Sequence, residues 1–195
     1  IAQQYVLNAV KNHALNAVVI NPTFMVGPYD IKPSSGKIIL QGLKHGIQWC
    51  PTGGKNFVHV SDVAQGIIKA LNVGRIGECY LIAGENLTYK EFFSGLNEVA
   101  GRSRIQFVVP KFAFIVGGTV VEAWNKATGQ TKAFNIGNSR LITLGNYYSG
   151  EKALREFDLK PTPVKKAIED ALAWFKQENY ISDDNYSIHG TNFDL

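Results

Sequence analysis

No glycine-rich turn links a strand to a helix anywhere in these 195 residues. GxGxxG does not occur, and the glycine pairs fall elsewhere: Gly53-Gly54 between strand patterns, Gly117-Gly118 inside an apolar helical stretch. Backbone N–H groups reach a pyrophosphate through such a turn, so a self-contained dinucleotide site is excluded. Cysteine is nearly absent. Cys50 and Cys79 have no CxxC spacing, which rules out a thiolate metal site; free thiols in a reducing compartment are the simplest account. The four histidines show no HxxxH spacing, and no GxSxG elbow occurs, so zinc hydrolase and serine hydrolase chemistry have no carrier. No Tyr-x-x-x-Lys pair is expected; Tyr148-Ser149-Gly150-Glu151-Lys152 comes nearest and is not taken as a match.

Charge and long apolar runs are scarce as well. Lys and Arg exceed Asp and Glu by only 20 to 16. They are scattered, with Lys165-Lys166 as the densest pair, so neither nucleic acid nor a membrane is expected as partner. The greasiest stretch, Phe112 to Val121, is broken by glycine and falls short of the ~20 residues a span requires. Ile1-Ala2-Gln3-Gln4 carries no basic leader. The lack of a starting Met agrees with a fragment or a processed chain, and a cytoplasmic location is expected.

What is present alternates helix and strand. Helical periodicity covers 3–14, and Ala17 to Ile20 is a continuous apolar run, as a strand buried on both faces requires. A helix is predicted over 36–45. Ile47 to Cys50 and Asn56 to Val60 flank Thr52-Gly53-Gly54 and read as a hairpin. Asp62, with Gln65 three residues on, reads as the cap of a helix through Asn72. Glu78 to Ala83 is a strand, and Thr88-Tyr89-Lys90-Glu91 is a capping box for a helix ending near Gly101. Ile105 to Val109 is a strand and 111–127 a helix. Leu141 to Thr143 and Tyr147-Tyr148 surround a turn at Gly145-Asn146. Ser149 caps a short helix to Glu156, and Pro163 stands at the first position of the last helix. This rhythm is that of a doubly wound α/β sheet. The tail 182–195 is polar and nonperiodic, so it is expected to be loosely held.

Several blocks, in order, carry a resemblance. Asn21-Pro22-Thr23-Phe24-Met25-Val26-Gly27-Pro28 resembles the Asn-Pro-x-x-x-x-Gly-Pro block of extended short-chain dehydrogenase/reductases. Lys55-Asn56-Phe57-Val58-His59-Val60-Ser61-Asp62-Val63-Ala64 resembles their Phe-Val-x-Val-x-Asp-Val-Ala block. Ser149 to Ala153, followed by Leu159 to Thr162, is similar to their closing segment. The subgroup that fits best is the dihydroflavonol-reductase-like members of the NAD-dependent epimerase/dehydratase family.

The resemblance covers about 1–181 and only the C-terminal portion. It implies the last strands and helices of a Rossmann-like sheet, about 1–30 and 57–83, plus a small α+β substrate-binding lobe. The dinucleotide-binding half would be absent. The resemblance implies a nicotinamide beside Pro22, Thr23, Phe24 and Met25, with Ser34 or Ser35 near the cofactor's phosphate or ribose. It places Asn21, Tyr29 and Lys55 at the substrate.

The complete enzyme would use NAD or NADP on a carbonyl or hydroxyl carbon of a small molecule, as a reductase or epimerase. This chain alone is expected to bind no cofactor tightly and to carry no catalytic residue. It is expected to associate with a missing N-terminal half or with a second copy. The alternative is a non-catalytic binding or scaffold module of the same descent. Bland readings stand beside these roles: Pro22 ends a strand, Ser34 and Ser35 cap a helix, Lys55 is a solvated turn residue, and His59 is a hydrogen-bonded structural residue.

Overall fold

The computed structural model describes residues 1–13, 15–44, 46–128 and 142–182. In chain order the elements are α1 (Ala2–His13), β1 (Val19–Pro22), β2 (Phe24–Val26), α2 (Lys37–Lys44), β3 (Ile47–Pro51), β4 (Gly54–His59), α3 (Val60–Val73), β5 (Cys79–Ile82), β6 (Glu85–Thr88), α4 (Tyr89–Val99), β7 (Ile105–Val109), α5 (Lys111–Thr128), β8 (Gly145–Asn146), α6 (Glu151–Glu156) and α7 (Val164–Gln177). The α/β character expected from sequence is borne out. β1 pairs with β5 and β3 with β7, both in parallel. β4 takes β2 in parallel, β6 antiparallel, and β8 in parallel at its first two residues.

β4 is where two cores meet. Asn56, Phe57, Val58 and His59 are all buried. Successive strand side chains leave opposite faces, so Phe57 and Val58 enter different clusters. Phe57 joins Val26, Leu40, Phe92, Ile168 and Phe175. It stacks on Phe92 at 4.3 Å and meets Phe24 edge-on at 5.5 Å. Val58 joins Val63, Tyr80, Ile82 and Phe157. α7 lines the first cluster with Val164, Ala167, Ile168, Ala171, Leu172 and Phe175, the helical spacing predicted for its apolar face. The Thr88–Glu91 capping box at α4 is present in both directions.

Other expectations are corrected. Ile47–Cys50 and Asn56–Val60 do not form a hairpin: β3 pairs with β7, and β4 with β2, β6 and β8. The glycines between them serve close packing instead. A Cβ on Gly53 would collide with the carbonyls of Ile142 and Leu144, and one on Gly54 with that of Leu87. β1 starts at Val19, and Val19 to Asn21 are only half-buried, because among the described residues its one strand partner is β5.

Gly145–Asn146, read as a turn, is the strand; Ile142 and Thr143 are not extended, and Leu141 lies outside the described residues. Pro163 flanks α7 as its cap rather than standing inside it. Gly150, not Ser149, is the flanking residue of α6, although Ser149 Oγ accepts from Glu151 N at 3.4 Å. Of the expected tail, 183–195 lies outside the described residues.

Asp62 does not cap α3. His59 does, its Nδ1 accepting from Ser61 N at 3.0 Å. His59 Nε2 faces Asp170 Oδ2 at 3.1 Å, so the structural reading of this histidine holds. Asp62 lies in the first turn, buried, and accepts from Thr162 N and Thr162 Oγ1, both at 2.7 Å. The carboxylate therefore fixes the start of α7 against α3. Asp62→Ala leaves the Thr162 donors without that acceptor and should cost about 1–3 kcal/mol, read as a lowered urea midpoint with an unchanged slope.

Candidate functional site

Two blocks far apart in sequence line one cleft. β1 ends at Pro22, and the chain passes through Thr23 into β2, which lies against β4 with Phe24 opposite Phe57. This register brings Lys55 and Asn56 of β4 beside Pro22, Thr23 and Phe24 in a cleft of about 530 Å3. Leu81, Ile142, Asn146 and Tyr148 complete its wall.

Asn56 organises this wall. It is 1% exposed. Its Oδ1 accepts from Thr23 Oγ1 at 2.7 Å and from Gly84 N at 2.9 Å. Its two Nδ2 protons are shared among Gly84 O, Asn86 Oδ1 and Tyr148 O at 3.1, 2.7 and 3.3 Å. One amide thus ties the strand ends and the Tyr148 loop together. Thr23 N is committed to Ile82 O at 3.1 Å, so Thr23 offers the cleft a side-chain oxygen rather than its amide. Lys55 is the cation of the cleft. Its ammonium lies 4.9 Å from the centre of the Phe24 ring, and loss of water pushes its pKa below the ordinary lysine value. The solvated-turn reading of Lys55 does not describe this environment.

A second, smaller cleft of about 200 Å3 joins Met25, Tyr29, Ser34 and Ser35 with Gly27 and Val60. Asp30 holds its rim: the carboxylate accepts from Ser34 N at 2.9 Å, Ser34 Oγ at 3.4 Å and Gly36 N at 2.8 Å. Ser34 is therefore a donor to Asp30, not the cap of α2. Gly27 has φ +152°, and a Cβ there would press on Val60. Tyr29 has φ +72° and is largely exposed, with its ring against Trp174 at 6.4 Å. Asn21 lines neither cleft; its Nδ2 donates to Gln3 Oε1 at 3.2 Å, joining β1 to α1.

Sequence reasoning singled out Pro22, Thr23, Phe24 and Lys55 but missed Asn56, Asp30 and Tyr148 as organisers. The signal for Asp30 was an acidic residue opening a Pro/Ser/Gly loop, where Asx-type bonding is common. Tyr148 and Lys152 do have the spacing of a Tyr-x-x-x-Lys pair. The structure separates their roles: Tyr148 is in the cleft wall, while Lys152 Nζ donates to Glu78 at 2.6 Å and to Cys79 O at 3.0 Å and lies over the Tyr80 ring. Among the described residues no cluster could hold a metal ion, and no helix is long and apolar enough to cross a membrane.

The larger cleft pairs the apolar surfaces of Phe24, Leu81 and Ile142 with the oxygen of Thr23, a lining whose chemistry suits a flat ring with a polar edge. A pyrophosphate finds no glycine-rich strand-to-helix turn in this sequence.

The fold matches the C-terminal half of solved Rossmann-like proteins, among them epimerases and dehydratases. Sequence relatives are similar over the same half. Over 185 residues the chain is 28% identical to a Synechocystis sp. protein named for dihydroflavonol 4-reductase, covering 92% of this chain and 54% of that one. The crystal structure of gox2253 is 31% identical with a TM-score of 0.74, covering 91% and 54%. A nucleoside-diphosphate-sugar epimerase from Pseudomonas aeruginosa, PA4631, shares the fold at 24% identity and a TM-score of 0.67, covering 93% and 54%. More distant solved neighbours are complexes with NADPH or NAD. No family model matches the chain. The chain spans about half the length of the curated relatives it matches.

The hub predicts a stability effect. Asn56→Ala should lower unfolding free energy by about 1–3 kcal/mol, since a buried amide and its half-buried partners Thr23 and Gly84 lose their bonds together. Urea unfolding checks it; a loss under about 0.5 kcal/mol would place the wall's stability elsewhere.

Proposed function

We propose that this chain is the C-terminal, substrate-facing portion of an NAD(P)-dependent reductase or epimerase acting on a carbonyl or hydroxyl carbon of a small molecule. The observation that carries the reading is the single cleft shared by Pro22, Thr23, Phe24 and Lys55. The cofactor, when bound, supplies hydride chemistry. The chain's own residues bind and orient. Phe24, Leu81 and Ile142 offer an apolar face to the nicotinamide. Thr23 Oγ1, held by Asn56, offers a fixed polar contact. Lys55, short of water and beside an aromatic ring, favours substrate groups that return negative charge to it. Met25, Ser34 and Ser35 in the smaller cleft border the cofactor's ribose or phosphate side, and Tyr29 the substrate.

The proton donor and the phosphate-binding turn belong to the N-terminal half of the complete enzyme. That half is also the proposed partner. β1 has an unpaired edge among the described residues, and a groove of about 390 Å3 beside it is lined by Val18, Ile20, Ile67, Leu71 and Ile76. An added parallel strand and its crossover helix would cover both. The protein is proposed to be cytoplasmic.

Two outcomes are expected. The isolated chain should neither saturate with NADPH nor oxidise it in the presence of a ketone. Addition of the separately expressed N-terminal half of the Synechocystis relative should give a complex that does both. Ketone reduction by the isolated chain would overturn the reading.

In the assembled enzyme Lys55→Met should raise KM by roughly tenfold or more, as loss of a charged contact does. The same variant should be more stable at neutral pH. A folded-state lysine pKa below the unfolded one means the unfolded chain holds more protons between the two values. Stability then rises with pH through that window, and the buried charge destabilises below it. Urea unfolding of the variant reads the sign.

A further inference from the structure

The β3/β7 sheet and α5 leave several large apolar side chains exposed. Parallel sheets are ordinarily covered on both faces, yet β3 and β7 leave one face open. Their register sets Ile47 opposite Ile105 and Trp49 opposite Phe107, and all four are exposed, Trp49 and Ile105 at 63% each. Trp49 and Phe107 stack at 5.6 Å. Pro110 leads from β7 directly into α5, whose exposed residues include Phe112, Val116, Val120 and Trp124 at four-residue spacing. Among the described side chains of α5 only Lys111 adds a charge to the exposed set. A solvated helix face carries charged residues; the described exposed side chains of this one are mainly apolar.

Cations predominate in the segments that lead into these strands, with Glu98 and Glu122 just outside them. Residues 31–61 contain Lys32, Lys37, Lys44 and Lys55 and no acidic residue; residues 99–121 contain Arg102, Arg104 and Lys111 and again none. The fold gathers part of this at one end of the open face. Arg102 Nη1 and Arg104 Nη2 both donate to Leu43 O, at 3.4 and 2.8 Å, next to Lys44 and just before β3 and β7 begin. No polybasic tract exists in the sequence; the sheet makes the cluster.

We propose that the open β3/β7 face, with the apolar stripe of α5, docks on an anionic lipid surface. Aromatic and aliphatic side chains enter the headgroup boundary, and the cations at the sheet end meet lipid phosphates. Aliphatic residues on the face, Ile47, Ile105, Val116 and Val120, favour lipid over nucleic acid, where stacking aromatics and cations would suffice. A second copy of the chain would bring the same cations against themselves, which disfavours it as occupant. The inference is independent of the cofactor cleft.

Vesicles of phosphatidylcholine with about one third phosphatidylserine test it on the full chain. Co-sedimentation is expected with these and not with phosphatidylcholine alone, weakening as salt is raised. Bromine-labelled acyl chains should quench the emission of exposed Trp49 and Trp124, a readout that needs no variant. Trp49→Ser with Phe107→Ser should weaken binding by about tenfold or more with circular dichroism unchanged. Absent quenching, equal binding to neutral vesicles, or a dimer in sedimentation that ignores lipid would each overturn the proposal.

Discussion

Strand β4 cannot shift by one residue without exchanging two cores. Phe57 belongs to the cluster under α2, α4 and α7, and Val58 to the cluster under α3 and α6. A one-residue slip would send each to the wrong side, with an aromatic ring entering the space of a valine. The same register sets Asn56 and Lys55 at the cleft and His59 at the cap of α3. Site geometry is therefore a by-product of core packing. Truncating Phe57 would be expected to cost about 3–5 kcal/mol, more than any hydrogen bond in the cleft wall. The core, not the polar network, decides where the functional residues stand.

The local part of this was legible in the sequence. Thr88 and Glu91 formed their capping box because both partners lie within one turn of chain. The apolar spacing of Val164, Ile168, Leu172 and Phe175 named the buried face of α7 because helical periodicity is a local property. Pairing was not legible. Two strand patterns around Gly53-Gly54 suggest a hairpin when only neighbours are considered. The partner of β3 is β7, more than fifty residues later, and glycine at 53 and 54 answers to the Ile142, Leu144 and Leu87 carbonyls. Asp62 misled for the same reason: its helix-start position reads as a cap, but its acceptor capacity goes to Thr162, a hundred residues away. Asn56 is the strongest case. An asparagine in an apolar strand gives no hint of the five groups it joins.

Lys55 shows how binding and stability separate in the cleft. An ammonium half out of water, with an aromatic ring as its close neighbour and its pKa lowered by burial, is a cost to the fold. Such a cost persists where a ligand later offsets it. The rest of the wall shows the opposite logic, since Asn56 and Thr23 satisfy each other within the protein. The cleft is thus held on its amide side and electrostatically unfinished at Lys55.

Among the described residues two apolar surfaces stand open, and their chemistry differs. The groove of Val18, Ile67, Leu71 and Ile76 adjoins a strand edge. Unpaired backbone N–H and C=O groups there call for another strand, and its surroundings mix signs, with Lys69, Arg75 and Glu78 close in sequence. Lipid tails cannot satisfy a strand edge, so this surface suits protein. The β3/β7 face presents aromatic and aliphatic side chains, and Arg102 and Arg104 meet at Leu43 O beside Lys44 at one end of it. A protein partner would have to match that charge as well as the apolar face, whereas an anionic bilayer supplies both at once. The two surfaces lie on different sheets, so occupation of one leaves the other free. A chain assembled through β1 would therefore still leave its β3/β7 face open to a membrane.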